Sequence, residues 1–373
     1  MSQTRRSFLA SSGTALAALG AMPAWPVRRV DYDLIIRGGT LYDGLGNPGV
    51  VRDLGILDGE VVEIAARIAG RGREEIVARG RAVAPGFIDI HSHGDGTLTT
   101  DPRAESLIRQ GITTIIVGQD GDSRDSGTTD GSFAAMLAGI QRVQPSVNVA
   151  SMVGLGSVHG AVVGDKDRPA TAAELATMAA MVKRALDDGA CGASSGLEYT
   201  PGAFASREEL IALCRPLAAQ QLPYATHMRN EDDRLLDAVD EAIAVAVGAG
   251  CPLQISHLKT QGPRNWGALD TVFARIRAVQ KSGLDIAFDR YPYLAYQTGL
   301  TNLFPVWSRD GGIDAFLARL GDTAVSARVR QDALDKVALI GGWDNVLVTG
   351  VRASADSAVV GQRLGGFASR QGT

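Results

Sequence analysis

Short apolar segments alternate with alanine-rich segments from residue 85 onward, and this alternation restricts the possible folds more than any other feature. The apolar segments predict strands at about 87–91, 113–118, 148–153, 191–195, 223–227, 253–257 and 285–289. Helical spacing of apolar residues predicts helices at 172–188, 207–220, 232–249 and 267–282. Repeated strand–helix units are typical of α/β proteins with a parallel sheet. A closed (β/α)8 barrel needs eight strands, so the seven segments predict an incomplete TIM-type barrel over residues 85–373.

The preceding segment, residues 32–84, has the pattern of a small β module. One strand is predicted from Asp33, and a hairpin is centred on Asp58-Gly59, a dipeptide that favours a two-residue turn. Short strands joined by such turns predict a domain separate from the barrel.

The first 31 residues have the pattern of an export signal. Arg5 and Arg6 precede Phe8 and a mild apolar run that continues to Ala24, which resembles a twin-arginine signal. The run is too short and too rich in Ser and Gly for a stable membrane anchor. An ordinary amphipathic helix is the alternative. The pattern predicts a periplasmic or secreted protein that uses the twin-arginine export machinery.

Charge and cysteine content argue against several classes of protein. The net charge is −4, and no long run of Lys or Arg follows the first thirty residues, so nucleic acid is not predicted as a partner. The three cysteines are widely spaced and include no C-x-x-C pair, which argues against a zinc ribbon or a redox motif. We expect them to be small buried residues.

Histidine is rare in the chain, and its positions are informative. Four of the five histidines, His91, His93, His227 and His257, follow predicted strands, whose carboxyl ends converge on one face of a barrel. Residues two apart in a strand point the same way, so His91 and His93 are predicted to share one side. A single histidine on a strand is more often a hydrogen-bonded core residue than a ligand. His159, after the third strand, is predicted to be a loop residue near the site.

Imidazole nitrogens from separate strands are typical of a Zn²⁺ site. A bound metal ion lowers the pKa of its water ligand and polarises a carbonyl group. The four histidines therefore predict a metal-dependent hydrolase with Zn²⁺ as its cofactor.

Several segments resemble the amidohydrolase superfamily, and more closely its N-acyl-D-amino-acid deacylase (D-aminoacylase) branch. The resemblance runs from about residue 32 to the end, and its segments begin at Ala84, Gly111, Gly189, Thr226, Ile255 and Asp289. The first, Ala84-Pro-Gly-Phe-Ile-Asp-Ile-His-Ser-His, is shared by the whole superfamily, and the others together are specific to the branch. The resemblance implies a (β/α)8 barrel with a small β module. It also implies hydrolysis of N-acyl-D-amino acids to a carboxylate and a free D-amino acid.

The resemblance further implies a set of metal ligands. His227 and His257 look like ligands of a tightly held zinc, and His91 and His93 like residues that flank a second, weaker position. Asp120 stands where the deacylases usually carry a cysteine ligand. A carboxylate can bind zinc at about 2.0–2.2 Å, but it is a harder ligand than a thiolate. Asp before Gly is also a strong turn signal, so a turn residue is the alternative.

Three substrate contacts are implied in the same way. Lys259, two residues after His257, resembles a residue that pairs with the α-carboxylate of the substrate, and Tyr199 and Tyr291 resemble residues that contact it. The alternatives are a solvated surface lysine and tyrosines that pack at the rim of the site.

The family's general acid/base is an Asp in a Ser-Asp-Gly context at the eighth strand. No such motif follows residue 290, so no catalytic Asp is assigned, and the chain resembles a deacylase truncated at its C-terminus. Segment 345–351 looks like a strand that precedes the eighth, and Asp356 is interpreted as a loop residue. General acid/base catalysis contributes roughly 10²–10⁴-fold, so we expect the 373-residue chain to be poorly active and marginally stable.

Two other functions stay open. A dihydroorotase- or hydantoinase-like cyclic amidase usually bridges two metals with a carboxylated Lys at the fourth strand, whereas this chain has Glu198 and no Lys in that region. A non-catalytic metal-binding protein would account for the absent Asp, but not for the set of histidines.

Overall fold

The computed structural model describes residues 32–123 and 132–371. The chain divides into two compact units, residues 1–85 and 86–373. The predicted export signal occupies residues 1–31 and lies outside the described residues. No helix among the described residues is long and apolar enough to span a membrane.

The first unit contains a five-stranded sheet. Its strands are β1 (Tyr32–Leu41), β2 (Val50–Leu57), β3 (Glu60–Ala65), β4 (Gly72–Val77) and β5 (Ala82–Val83). Strands β1 to β3 pair antiparallel in sequence order, and β4 and β5 each pair parallel with β1. Between β2 and β3, φ is 52° at Asp58 and 81° at Gly59. Positive φ at both central residues is the conformation of a type I′ hairpin turn, and the predicted hairpin is confirmed.

The second unit is built from parallel strands that alternate with helices, and the predicted α/β class is confirmed. Its strands are β6 (Phe87–Asp89), β7 (Ile112–Val117), β8 (Asn148–Ser151), β9 (Val153–Gly154), β10 (Ala193–Gly196), β11 (Tyr224–His227), β12 (Leu253–Ile255) and β13 (Ile286–Phe288). Each of the seven predicted segments overlaps an observed strand, and β8 and β9 together correspond to the third segment.

The order of these strands in space follows their order in the chain. One sheet has the order β6-β7-β8 and the other β9-β10-β11-β12-β13, and all of the pairs are parallel. Only Met152 separates β8 from β9, and its N–H donates to the carbonyl of Val117 at the end of β7. Sequential parallel strands are the arrangement of a TIM-type barrel. Among the described residues, β6 and β13 form the two edges of this order.

Ten helices accompany these strands within the described residues. They are α1 (Glu105–Ile108), α2 (Phe133–Val143), α3 (Leu155–Val162), α4 (Ala172–Asp187), α5 (Arg207–Cys214), α6 (Leu235–Ala249), α7 (Leu269–Lys281), α8 (Gly312–Gly321), α9 (Thr323–Leu339) and α10 (Leu364–Gln371). Thr171 and Glu174 form a capping box at the start of α4, which satisfies backbone N–H groups that the first turn leaves free. The predicted helix 207–220 continues after α5 as a 3₁₀ segment, because Pro216 cannot donate the N–H that an α-helix needs.

The main hydrophobic core lies between β9–β13 and the helices that follow these strands. Met178, Leu213 and Tyr224 are among its fully buried side chains. Cys214 and Cys251 are also buried there, as predicted, whereas Cys191 is only half-buried.

The prediction of a strand over residues 345–351 is wrong. Segment 345–351 forms no strand, and its only sheet-like contact is an isolated bridge between Leu347 and Arg363. A 3₁₀ helix, Trp343–Asn345, includes the first residue of this segment, and Val346 after it is extended. The segment is not a strand because it pairs with no neighbouring strand among the described residues.

Candidate metal centre

Five side chains that follow four different strands meet at one end of the parallel strands. His227 is the last residue of β11, and His257 lies two residues beyond β12. Asp120 follows β7, and His91 and His93 follow β6. The ring centroid of His257 lies 4.6 Å from that of His227 and 5.0 Å from that of His91. The structure thus brings together all five predicted metal ligands.

Neighbouring atoms of this group have the separations of ligands on one ion, and the ligand atoms of His91, Asp120 and His257 all lie within 4.8 Å of one another. Asp120 Oδ2 lies 3.4 Å from Nε2 of His91 and of His257, and 3.3 Å from Nε2 of His93. His227 Nδ1 lies 3.0 Å from His257 Nε2 and 4.0 Å from Asp120 Oδ2. Two ligand atoms at zinc-binding distance on a tetrahedral ion are roughly 3.4 Å apart. Imidazole nitrogens with one carboxylate oxygen therefore fit a zinc ion.

Asp120 is both a turn residue and a member of this group, so the two interpretations of the sequence are compatible. Its φ is 55° and that of Gly121 is 79°, and Asp tolerates this left-handed conformation better than most residues. The turn packs directly on β10. A Cβ at Gly196 would lie 1.9 Å from the Asp120 carbonyl oxygen, and a Cβ at Gly121 would lie 2.5 Å from Gly196 N.

The prediction that strand periodicity places His91 and His93 on one side of a strand is wrong. β6 ends at Asp89, so both histidines lie beyond the strand. Their side chains differ in exposure, at 12% for His91 and 63% for His93. Both reach Asp120, but only His91 is buried within the group.

Each of the three buried histidines has a carboxylate beside its other ring nitrogen. The pairs are His91 Nδ1–Asp289 Oδ1 at 3.3 Å, His257 Nδ1–Glu231 Oε1 at 3.0 Å and His227 Nε2–Glu198 Oε2 at 3.3 Å. Carboxylates in this position orient a metal-binding imidazole and fix its tautomer. Sequence reasoning missed Asp289 and Glu231, and considered Glu198 only as a bridge between metals. The available signal was that each of the three follows a parallel strand, as the histidines do.

The imidazoles and carboxylates of this group shift each other's pKa. Burial alone would raise the pKa of the Asp120 carboxyl, but contacts with His257, His91 and His93 hold it well below its usual value. Burial alone would lower the pKa of His91, but contacts with Asp120 and Asp289 raise it to about 10. The carboxylates therefore favour positive charge at this point, either a proton on an imidazole or a metal ion.

Lys259 is buried rather than solvated, so its surface alternative is wrong. Its ammonium pairs with Glu231 and lies 3.1 Å from His257 Nδ1. Burial would raise the pKa of Glu231, but His227, His257 and Lys259 lower it to about 2. The Lys259 ammonium already serves as a cation beside Glu231, which leaves the group around Asp120 as the better position for a metal ion.

The two predicted substrate-binding tyrosines lie beside this group. The Tyr199 hydroxyl lies 3.4 Å from His227 Nδ1, and burial raises the pKa of that hydroxyl. The Tyr291 ring lies 6.3 Å from the His257 ring and 5.8 Å from Lys259 Nζ. Burial raises the pKa of Tyr291 to about 12. Both hydroxyls therefore stay protonated at neutral pH.

A cavity of about 1110 Å³ opens above the histidines. All eight predicted site residues line it, and so do Glu198, Glu231, Asp289 and Tyr296. A cavity of this size suits a small organic ligand.

His159 is not the loop residue that the sequence predicted. It lies in α3 and is completely buried, and its Nδ1 is 2.8 Å from Oε1 of Glu209, which is buried in α5. The apolar residues Leu155, Val158 and Val162 have helical spacing and could have indicated this helix.

Comparisons with known proteins agree with the motifs in the sequence. The amidohydrolase family model matches residues 74–371. N-acyl-D-glutamate deacylase of Alcaligenes xylosoxydans xylosoxydans is 37% identical over 277 residues, which cover 70% of this chain and 57% of the relative. D-aminoacylase of the same organism is 35% identical over 289 residues, which cover 72% of this chain and 59% of the relative. The chain thus spans little more than half the length of these curated relatives.

A solved structure supports the same assignment. It is N-acyl-D-glutamate deacylase from Bordetella bronchiseptica, complexed with zinc and a phosphonate inhibitor that mimics the tetrahedral intermediate. It aligns with a TM-score of 0.77 and 30% identity, over 92% of this chain and 68% of that one. The chain therefore belongs to the amidohydrolase family, in the N-acyl-D-amino-acid deacylase branch that its motifs resemble.

Proposed function

We propose that the protein hydrolyses the amide bond of N-acyl-D-amino acids and releases a carboxylate and a free D-amino acid. The observation that carries this proposal is the group of imidazole nitrogens and Asp120, spaced 3.0–4.0 Å apart as zinc ligands would be, at the wall of a large cavity. Relatives named D-aminoacylase and N-acyl-D-glutamate deacylase support the choice of substrate class.

Zinc is the proposed cofactor, and the zinc in the related structure supports this choice. His227, His257 and Asp120 would hold one ion tightly, and His91 and His93 would flank a second, weaker position. When bound, the ion would lower the pKa of a water molecule and polarise the carbonyl of the amide.

Lys259 is the proposed anchor for the substrate. An ammonium group has three donors, and Glu231 and His257 lie within reach of this one without enclosing it. Because the side chain lines the cavity, the α-carboxylate of a substrate could approach it as a further partner. Tyr199 and Tyr291 would limit the position of the bound molecule from two sides.

The group that transfers the proton is not assigned. We propose that β6 to β13 occupy the first seven strand positions of a TIM-type barrel, and the family's acid/base Asp belongs to the eighth. We also propose that the protein is exported by the twin-arginine route, since Arg5-Arg6 precede an apolar run.

The test is zinc-dependent hydrolysis by the full chain. The zinc-free protein would be loaded with one equivalent of zinc and assayed with N-acetyl-D-methionine, its L-isomer and a hydantoin. We expect release of D-methionine only with zinc, and loss of that activity in His257→Ala. A chain that binds no zinc, or that hydrolyses the hydantoin faster, would overturn the proposal. The second of these outcomes would favour a cyclic amidase.

A further inference from the structure

Glu231 lies behind His257, a proposed zinc ligand, and also reaches Lys259, the proposed anchor for the substrate. It follows β11 by four residues and is 1% exposed. One of its oxygens lies 3.0 Å from His257 Nδ1, and the other pairs with the Lys259 ammonium. An ionised carboxylate is costly to bury without partners, so the two donors account for its presence in the core.

The Nδ1 atom of His257 has two neighbours that require opposite protonation states. Lys259 Nζ lies 3.1 Å from it and can only donate. If the ammonium donated to Nδ1, the neutral ring would carry its proton on Nε2. Nε2 is the nitrogen that faces His227 at 3.0 Å and Asp120 at 3.4 Å. A protonated Nε2 has no lone pair for a metal ion.

Glu231 resolves this conflict because it can accept from both donors. Its Oε1 lies 3.0 Å from His257 Nδ1 and is buried without a hydrogen-bond partner among the described residues, so a proton on Nδ1 would satisfy it. Its Oε2 pairs with the Lys259 ammonium, which would keep the ammonium from donating to Nδ1. The lone pair of Nε2 then points toward the metal position, the arrangement found when a carboxylate supports a metal-binding histidine.

We propose that Glu231 is a positioning residue that sets the tautomer of His257 and holds Lys259 at the cavity wall. The aromatic rings of Tyr291 and Tyr296 each lie 5.8 Å from Lys259 Nζ and restrict the same ammonium from other sides. A single carboxylate thereby connects a metal ligand to the anchor for the substrate. This inference rests on the zinc site of the proposed function, but not on which amide is hydrolysed.

The first measurement is zinc affinity, obtained with the full chain by competition against a chromogenic chelator. Glu231→Gln keeps the size of the side chain but removes the charge that holds Lys259, and it should weaken zinc binding by about tenfold. The matched control is Glu209→Gln. This substitution changes another buried glutamate that contacts a histidine, outside the lining of the cavity, and it should leave zinc affinity unchanged.

The second measurement separates tautomer control from general loss of packing. In the double variant Glu231→Gln, Lys259→Met the competing donor is gone, so part of the lost zinc affinity should return. A merely structural role of Glu231 would predict a further loss instead. Long-range ¹H–¹⁵N spectra of the zinc-loaded wild type should show the proton of His257 on Nδ1.

Three results would overturn the inference alone: equal zinc affinity in wild type and Glu231→Gln, an equal loss in Glu209→Gln, or no recovery in the double variant. Failure of the wild type to bind zinc would overturn the proposed function as well. If zinc binds as expected but no N-acyl-D-amino acid is hydrolysed, the positioning role of Glu231 stands and only the substrate assignment fails.

Discussion

The two halves of the candidate metal centre differ in burial. The β11–β12 half consists of His227 and His257, whose side chains are 5% and 11% exposed. The β6–β7 half consists of His91, His93 and Asp120, and it includes the exposed His93 at 63%. In the β11–β12 half both imidazoles have a carboxylate behind them, whereas in the β6–β7 half only His91 does. An imidazole that is buried and held at both nitrogens loses less freedom when it binds an ion. The β11–β12 half should therefore hold zinc more tightly.

The largest effect on zinc affinity is expected when a ligand is removed from the β11–β12 half. His227→Ala or His257→Ala should weaken zinc binding by about 100-fold, since structural zinc sites with four ligands bind with roughly 10–16 kcal/mol. The measurement is chelator competition. His159→Gln is the control, because His159 is equally buried but lies outside the cavity lining. Similar zinc affinity in all three variants would contradict the expected order.

Asp120 contacts histidines of both halves, and its substitution tests how much this carboxylate contributes to zinc affinity. Asp120→Asn should weaken zinc binding by about tenfold, because Asn accepts the positive φ of this position but provides only a neutral ligand. Asp122→Asn is the matched control, since Asp122 accepts a hydrogen bond from Ser157 on the same cavity wall. If both variants weaken zinc binding equally in the same titration, Asp120 does not act as a ligand.

The pH dependence of stability tests the β6–β7 half without metal. The pKa of His91 is raised from 6.5 to about 10, so its contacts stabilise the folded zinc-free protein fully below about pH 6.5. That stabilisation is lost as the pH rises toward 10. Urea denaturation should show the wild type more stable than His91→Gln at pH 6.5, with the difference shrinking at pH 8 and again at pH 10. A difference independent of pH would mean that His91 acts through packing alone.

The smallest effect is expected at His93. This side chain is mostly exposed and contacts the group through Asp120 and the His91 ring. His93→Ala should therefore change the affinity for the first zinc by less than about threefold, well under the loss of a ligand. The affinity for a second equivalent of zinc should fall further. Isothermal titration separates the two steps, and a large loss in the first step would place His93 among the tight ligands.

Much of this arrangement could be predicted from the sequence, because local patterns encode it. Alternating apolar and helical segments gave the seven strand positions. Histidines at strand ends pointed to the site, since the carboxyl ends of parallel strands meet. The sequence does not predict the carboxylates that support His91, His227 and His257. Each carboxylate lies tens to hundreds of residues from its histidine along the chain, and no spacing rule connects Asp289 to His91.

Two of the wrong predictions concern where a strand or helix begins or ends. His159 was assigned to a loop because its helix follows β9 immediately, with no turn residues between them. His91 and His93 were aligned by strand periodicity, although β6 ends two residues before His91. In both cases the predicted boundary of an element lies away from the one that hydrogen bonding sets, and boundaries are the least certain part of such predictions.

The contact between Gly121 and Gly196 limits how this centre can be redesigned. A methyl group on Gly121 would collide with the backbone of β10, and one on Gly196 would collide with the carbonyl of Asp120. Backbone cannot rotate away as a side chain can. Substitution there would push Asp120 outward while leaving every ligand chemically intact. A library that seeks a new metal preference can vary the donor at position 120 among residues that accept its positive φ, whereas variants of either glycine are expected to lose zinc for reasons unrelated to ligand chemistry.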